Sequence, residues 1–257
     1  MSAAAEPTLA EVCVVACAEA WRGDGEILAS PIGTIPTIGA RLAAMTFEPD
    51  LVYTDGDALQ LAEPIPAGAG GDVPRTVEAW MPFGRMFDIV WSGRRHVMMG
   101  ATQVDRYGNQ NIACIGPWAR PKAQLLGVRG APGNTVNNPT SYWVPQHTTR
   151  VFVDGVDCVS GVGYDRADAA GPSATRFHEI RVVVSNKAVL DFATPDHSMR
   201  IRSLHPGVTV EDVVENTGFQ LVVPDDVPTT RLPTAEDLQI IREVLDPDNL
   251  RNAEVPV

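Results

Sequence analysis

The chain has 257 residues, of which 44% are hydrophobic, 20% charged and 6% aromatic, a make-up that excludes a disordered chain and a disulfide-held miniprotein. Lys and Arg total 20 against 32 Asp and Glu, for a formal charge of −12, and no basic run supplies the face a nucleic-acid binder needs. Nowhere do roughly 18 apolar residues run together, and the amino terminus lacks a basic stretch leading into an apolar one, so no membrane span or signal peptide is expected. Cys13, Cys17, Cys114 and Cys158 show neither metal-ligand nor disulfide-framework spacing. Reduced, buried thiols in a cytosolic protein are the expectation.

In chain order, Leu9–Trp21 (LAEVCVVACAEAW) repeats apolar residues at helical spacing, and Thr8 with Glu11 makes a capping box. An amphipathic helix is predicted. Glu26–Ser30 reads as a strand that passes through a Gly- and Pro-punctuated turn into a helix at Thr37–Met45, the elementary unit of a doubly wound sheet. Leu51–Thr54 is the next strand and ends on Asp55-Gly56-Asp57. Residues 62–75 are too rich in glycine and proline for regular structure, and a loop of that length is either functional or flexible. Phe83–Val90 is a predicted helix, Val97–Gly100 and Asn111–Ile115 are strands, and 128–138 is a second Gly-, Pro- and Asn-rich turn. Residues 148–160 alternate as a hairpin around Asp154-Gly155 would. Ile180–Asn186 is a buried strand, followed across an Asn-Lys turn by Val189–Phe192. Val210–Asn216 and Ala235–Val244 are helices, the second opened by Thr234 with Glu236 and Asp237 in its first turn. No repeat or linker interrupts this pattern, and residues 1–257 read as one α/β domain.

Several motifs are absent: a G-x-G-x-x-G after a strand, a G-x-x-x-x-G-K-[ST], a G-x-S-x-G and an H-E-x-x-H. Nucleotide-binding, triad-hydrolase and zinc-protease readings therefore lack their residues. His96, His147, His178, His197 and His205 are scattered, and ordinary hydrogen bonding is expected of them rather than metal ligation. Three polar clusters remain. Thr54-Asp55-Gly56-Asp57 lies at a strand's carboxyl end, where open α/β sheets place ligands; the same residues also suit a solvated Asp-Gly turn. In Gly100–Asn111 (GATQVDRYGNQN), Gly100 and Ala101 permit close backbone approach, and Gln103, Asn109 and Asn111 offer donors and acceptors; a plain hairpin turn at Tyr107-Gly108-Asn109 is the competing reading. Gly130–Asn138 (GAPGNTVNN) has the composition of exposed backbone N–H groups in an oxyanion or phosphate nest, or of an ordinary loop.

These stretches resemble a known family. Met99–Gly116 (MGATQVDRYGNQNIACIG) is similar to the signature loop of the β subunits of family I coenzyme A transferases. Ser203–Val223 (SLHPGVTVEDVVENTGFQLVV) is similar to that family's H-P-G-V tail, and Pro233–Pro247 (PTAEDLQIIREVLDP) to glutaconate-transferase-like β subunits. The resemblance runs from about Gly25 to Pro247. It implies a coenzyme A transferase-like α/β fold, an open, mostly parallel sheet with flanking helices, built to pair with an α subunit.

Transferases of the family carry a glutamate in an E-S-G or E-N-G turn, and its carboxylate forms the enzyme thioester. Alignment on Gly56 puts Thr54 at that place, with Asp55 one methylene shorter and one position along. The turn Tyr53–Gly56, the loop Gly130–Asn134 and the segment Ala113–Leu125 (ACIGPWARPKAQL) more closely resemble the cholesterol ring-cleaving hydrolase branch of the family. That branch implies water-dependent C–C cleavage that opens the last steroid ring of a cyclohexenone carboxyl-CoA thioester. It further implies a general base on the α subunit, an α2β2 assembly, and no metal or cofactor, coenzyme A arriving as part of the substrate. Thr54 and Asp55 are then expected to position substrate or water, while Gly56, Gly100, Ala101, Gln103, Gly130, Gly133 and Asn134 hold the thioester or the CoA arm. A CoA transferase using Asp55 as nucleophile is the alternative, and a purely structural partner is a third reading. Arg75, Arg85, Arg94 and Arg95 suit CoA phosphates, a substrate carboxylate or a solvated face equally.

Overall fold

Strands whose side chains alternate between two buried faces organise the chain, which a computed structural model describes over residues 6–56 and 58–255. The six-stranded central sheet consists of β1 (Leu28–Pro31), β2 (Arg95–Gly100), β3 (Pro139–Val144), β4 (Glu179–Ser185), β5 (Ala188–Asp191) and β6 (Arg200–Leu204), adjacent in space in that same order. The first four run parallel, and β5 and β6 fold back antiparallel. Met98, Trp143, Val182 and Val184 belong to the core cluster on one face; Val97, Met99, Tyr142, Val144 and Val183 belong to the cluster on the other. Burial of both faces is what parallel strands joined by crossovers require. The open, mostly parallel sheet with flanking helices is therefore present.

Helix α1 (Leu9–Glu19) and helix α2 (Thr34–Thr46) cover the first of these faces. The predicted capping box is present: Thr8 Oγ1 accepts the Glu11 N–H, and Glu11 accepts the Thr8 N–H. The amphipathic expectation is corrected, because every residue from Ala10 to Ala18 is buried. Glu11 lies inside that apolar run with 0% exposure, and Arg242 and Arg251 reach it at 2.7 and 2.9 Å. Burial alone would raise its carboxyl, but the Arg242 hydrogen bond, the Thr8 N–H and the Arg251 charge hold it down to about 2. Helix α2 starts at Gly33 with no side-chain cap of its own. Glu254, near the carboxyl terminus, supplies one, accepting the N–H groups of Thr34 at 2.6 Å and Ile35 at 3.2 Å and also the Trp143 indole N–H at 2.8 Å. A carboxylate at a helix amino terminus meets both unpaired donors and a favourable dipole.

Elsewhere the structure departs from the sequence reading. Leu51–Thr54 is no full strand: among the described residues it makes single bridges, Val52 to Leu28 and Thr54 to Gln60, because it runs along the outer edge of β1 beyond the last complete ladder. The expected strand 111–115 is split between two short hairpins, Gln103–Val104 with Gln110–Asn111 and Cys114–Ile115 with Ala123–Gln124. The turn expected at 128–138 contains helix α4 (Ala131–Asn137), with Pro132 in its first turn where a missing N–H costs nothing. No hairpin forms at Asp154-Gly155; Phe152 instead bridges Val104 in parallel and Val153 N–H donates to the Val104 carbonyl at 3.0 Å. Strands β3 and β6 escaped the reading. In β3 the polar Thr140 and Ser141 are fully buried and hydrogen-bonded, so its sequence lacks the apolar run that normally marks a central strand. Three cysteines are buried as expected, but Cys158 is only partly so.

Glu11 has a folded-state pKa below its unfolded one, so its contribution to stability is complete above about pH 4.5 and is lost as pH falls through about 2. The shift corresponds to roughly 3 kcal/mol. Glu11→Gln is expected to lose about that much stability at pH 7 and to flatten the acid limb of stability against pH, measured by urea unfolding from pH 7 down to 2. His147 adds an earlier loss. Burial, with smaller contributions from Lys187 and His205, depresses it to about 3. Stability conferred by its neutral ring declines once pH drops below about 6.5, and His147→Gln should remove that part of the slope.

Candidate functional site

A cavity of about 170 Å³ runs along β1 from Leu28 to Ile32, between α2 and the segment 53–56. Its polar lining comes from Ser30, Thr37, Arg41, Tyr53, Thr54 and Arg95. Met81 and Met86 close it from the excursion between β1 and β2, which carries the hairpin Leu59–Leu61 with Val77–Trp80 and helix α3 (Arg85–Val90). Burial, foremost, and the charge of Glu78 push the Tyr53 phenol up to about 12, so it keeps its proton and can donate a hydrogen bond. Among the described residues, the lining holds no aspartate, glutamate, histidine or cysteine. The wall this chain offers therefore consists of donors and cations without a base.

Two of those cations are unusual. Arg41 and Arg95 are 6% and 8% exposed, and no ion pair is found for either among the described residues. Each has a neutral acceptor instead: Arg41 Nη1 donates to the Ile65 carbonyl at 2.7 Å, and Arg95 Nη1 to Asn134 Oδ1 at 3.2 Å. Arg95 Nε is buried with no partner. Desolvation pulls Arg95 down to about 10 and lowers Arg41 as well; both remain guanidinium ions at neutral pH.

The predicted residues divide around this cavity. Thr54 and Gly56 line it. Gly56 has φ +101°, a conformation that favours glycine, and its N–H donates to Thr54 Oγ1 at 3.2 Å. Asp55 does not line the cavity; its carboxylate bonds within the turn, and its charge also acts on Arg41. Its Oδ1 accepts the Leu59 N–H at 3.2 Å, and its Oδ2 accepts Arg75 Nη1 at 2.7 Å, with the carboxylate side chain 5% exposed. Asp55 and Arg75 thus shape the loop that presents Thr54. Asp57, the fourth residue of that cluster, lies outside the described residues.

Gly100 and Ala101 sit at and just beyond the carboxyl end of β2, outside the cavity lining. Gln103 is engaged by its own chain: it donates to Asp157 at 3.0 Å and accepts from Asn111 at 2.7 Å and from the Asp157 N–H at 3.0 Å. The Asp105–Asn109 pair ties the same hairpin, through Asn109 Nδ2, to Asp165. The polar signature at 100–111 is consequently a knot of internal hydrogen bonds. On α4, a Cβ at Gly133 would clash with Val90 Cγ1, so that glycine allows α4 to pack on the end of α3. Gly130 caps the same helix. Asn134 alone of this trio reaches the cavity wall, through Arg95.

Arg41 and Arg95 carry most of the site's charge; the sequence reading missed the first and left the second open. An isolated arginine in a helix or at a strand start carries no local signal of burial. A second constellation mimics a hydrolase. Asp24 Oδ2 meets His96 Nδ1 at 2.6 Å, and His96 Nε2 meets Ser141 Oγ at 2.9 Å. His96 and Ser141 are fully buried, and Arg181 occupies the other Asp24 oxygen at 2.6 Å. No described cavity is lined by Ser141 or His96, so this network braces the strands and has no access to substrate.

The fold and this edge cavity define a coenzyme A transferase-type B subunit. Glutaconate coenzyme A-transferase from Acidaminococcus fermentans has the same architecture, with a TM-score of 0.82 at 25% identity over 98% of each chain. No family model matches the chain. The IpdB subunit of the cholesterol ring-cleaving hydrolase of Rhodococcus jostii (strain RHA1) is 56% identical over 252 residues, 98% of both sequences. The crystal structure of Rhodococcus jostii RHA1 IpdAB matches with a TM-score of 0.93, covering 98% of this chain and 100% of that one. The chain belongs to the family of IpdB subunits.

Removing either partner of the Asp55–Arg75 pair should cost about 1–3 kcal/mol, as breaking a largely buried charged hydrogen bond does. Asp55→Asn and Arg75→Gln are expected to lower the urea midpoint separately, and the double variant to lose less than their sum. Strict additivity would place the two side chains in separate roles.

Proposed function

We propose that this chain is the β-type subunit of a heteromeric hydrolase that opens the last steroid ring of a cyclohexenone carboxyl-CoA thioester by adding water across a C–C bond. The observation that carries this reading is the chemistry of the cavity: hydrogen-bond donors and cations, but neither a nucleophilic carboxylate nor a base from the described residues. A coenzyme A transferase needs a carboxylate nucleophile here, and Thr54 cannot supply one. Hydrolysis of a β-keto thioester needs a base for water, which a second subunit can bring, and donors for the oxyanions that develop.

Water's oxygen bonds to the ring ketone carbon as the base takes its proton. The C–C bond to the thioester α-carbon then breaks, and its electron pair enters the thioester as an enolate. Protonation at the α-carbon completes an open chain that carries a new carboxylate and retains coenzyme A. Thr54 and Tyr53 have the hydroxyl groups to stabilise the developing oxyanion from this wall, and the Asp55–Arg75 pair keeps the Thr54 turn in place. Coenzyme A enters with the substrate, and the chemistry as written uses no cofactor or metal. Gly56, in the cavity lining, and Gly100 and Ala101, at the carboxyl end of β2, are the residues left to border the thioester and CoA arm.

The partner is an α-type subunit carrying the general base, and α2β2 is the proposed assembly in a cytoplasmic enzyme. Support comes from an exposed aromatic face. Trp80, Phe83, Phe87 and Trp91 are from 61% to 80% exposed on the excursion that also supplies Met81 and Met86 to the cavity, with Phe83 and Phe87 in edge-on contact, and exposed apolar surface of that kind suits a docking face. No helix among the described residues is long and apolar enough to cross a membrane.

Turnover of the cyclic β-keto thioester by the co-expressed pair in oxygen-18 water tests the reading. One label in the newly formed carboxylate, with coenzyme A still attached, is expected. Absence of ring opening together with CoA transfer to an added carboxylic acid would overturn it. Thr54→Val should retain assembly with the partner and reduce kcat on the order of 10- to 1000-fold if its hydroxyl serves the oxyanion.

A further inference from the structure

Burial separates the cysteines into two kinds. Cys13 and Cys17 are fully buried within the apolar run of α1, out of an oxidant's reach. Cys114 is also fully buried, but it lies beside Cys158, which is partly exposed. Hydrogen bonds between the two segments set this juxtaposition. Gln110 and Gly161 form an antiparallel bridge. The Ile112 N–H donates to Ser160 Oγ at 3.0 Å, and the Gly116 N–H donates to Asp157 Oδ2 at 3.0 Å. Residues 110–116 and 157–161 therefore run antiparallel, and a register that pairs 112 with 160 and 116 with 157 places Cys114 level with Cys158 and Val159. The two thiols meet: burial foremost, then the charge of Cys114 and a hydrogen bond between the side chains, push the Cys158 thiol up.

We infer that Cys114 and Cys158 are an oxidation site, a thiol pair that a hydroperoxide closes to a reversible disulfide and that slows turnover when closed. Cys158 has the exposure to meet the oxidant. Its thiolate attacks one peroxide oxygen and the O–O bond breaks; Cys158 becomes a sulfenic acid, and the released hydroxide takes up the thiol's proton as water. Cys114 then attacks that sulfur as its own proton leaves. The S–S bond forms, the S–O bond breaks, and the hydroxyl departs as a second water. The two thiols lose two electrons in all and the peroxide gains them. An added dithiol reverses the closure by exchange.

The effect on turnover follows from what surrounds the pair. Asn111 Nδ2 donates to the Cys114 carbonyl and to Gln103 Oε1, both at 2.7 Å, and Gln103 binds Asp157, the neighbour of Cys158. From the same hairpin, Gln110 Nε2 donates to the Gly100 carbonyl at 2.6 Å. A covalent bond draws the sulfurs inside their nonbonded contact, and a close-packed interior passes that displacement through these hydrogen bonds to the end of β2. Misplacement of a reacting group by about 1 Å costs up to about 100-fold in rate. This effect rests on the functional reading above; formation of the disulfide does not.

The test treats the co-expressed complex with hydrogen peroxide at mildly alkaline pH, where a raised thiol ionises enough to react, and then removes the oxidant with catalase. Mass spectrometry of this chain should show the loss of two hydrogen atoms, and non-reducing peptide mapping should join the Cys114 and Cys158 peptides. Turnover should fall on the order of 10-fold and return with dithiothreitol. Cys158→Ser should form no cross-link, keep the untreated rate and resist peroxide. Cys114→Ala should form none either, leaving Cys158 as a sulfenic acid that dimedone traps.

Free thiols at both positions after treatment would overturn the proposal, and so would a disulfide joining other cysteines. An equal loss of turnover in Cys158→Ser would place the damage elsewhere and overturn it. A disulfide that leaves turnover unchanged would overturn it as well, by severing the pair from the site. The two readings fail separately. A reduced complex that transfers CoA and opens no ring sinks the hydrolase reading alone, because the mass and the peptide map still report the disulfide and CoA transfer then supplies the rate.

Discussion

The Glu11 carboxylate sits in the first turn of an apolar helix with 0% exposure, and two guanidinium groups from the last quarter of the chain converge on it. Removal of charge from water demands such a partner, and this demand organises much of the molecule. Arg251 passes the constraint on to Asp246, also fully buried, and Glu254 then caps α2 and fixes the Trp143 indole. The carboxyl-terminal segment is thereby bound to both helices on one face of the sheet. Asp24 likewise collects His96 from β2 and Arg181 from β4, the strands on either side of β3. A chain with a formal charge of −12 has carboxylates to spare, which makes the buried Arg95, with no ion pair among the described residues, the more informative exception.

Against that background the cavity beside β1 stands out for what it lacks. Its walls are supplied by elements that pack for ordinary reasons: α2 against the sheet, the Thr54 turn held by Asp55 and Arg75, and the methionines of the long excursion. What they enclose is cationic and rich in donors. A site of that kind can bind an anion, orient a carbonyl and stabilise an oxyanion, but it cannot remove a proton from water. The proposed division of labour between two subunits rests on this chemistry, and the exposed aromatic residues of the same excursion offer a second subunit a surface to cover.

How much of this was legible depended on whether a signal was local. The capping boxes at Thr8 and Thr234, the strand Ile180–Asn186 and the helix after Val210 were all written in neighbouring residues. Strand β3 was not, because Thr140 and Ser141 are polar residues satisfied by partners distant in sequence. The GAPGNTVNN stretch misled in the opposite direction: its glycines and asparagines read as a loop, while packing against Val90 and Trp91 makes it a helix. The signature at 100–111 was correct as a mark of family, and in the structure Gln103 and Asn109 spend their hydrogen bonds within the chain. Thr54 and Gly56 were found because a strand end and a positive-φ glycine leave a local trace; Arg41 was missed because burial of a charge does not.

By itself, the sequence determined the class of fold and the family, both of which rest on residue order and short-range pattern. The tertiary structure alone decided that Asp55 belongs to the turn, that Ser141 and His96 are buried together away from the cavity, and that Arg41 and Arg95 line one cavity. The physical reason is common to all three. Desolvation and charge pairing are properties of a place in space, created when distant segments close around a side chain, and no window of neighbouring residues contains them.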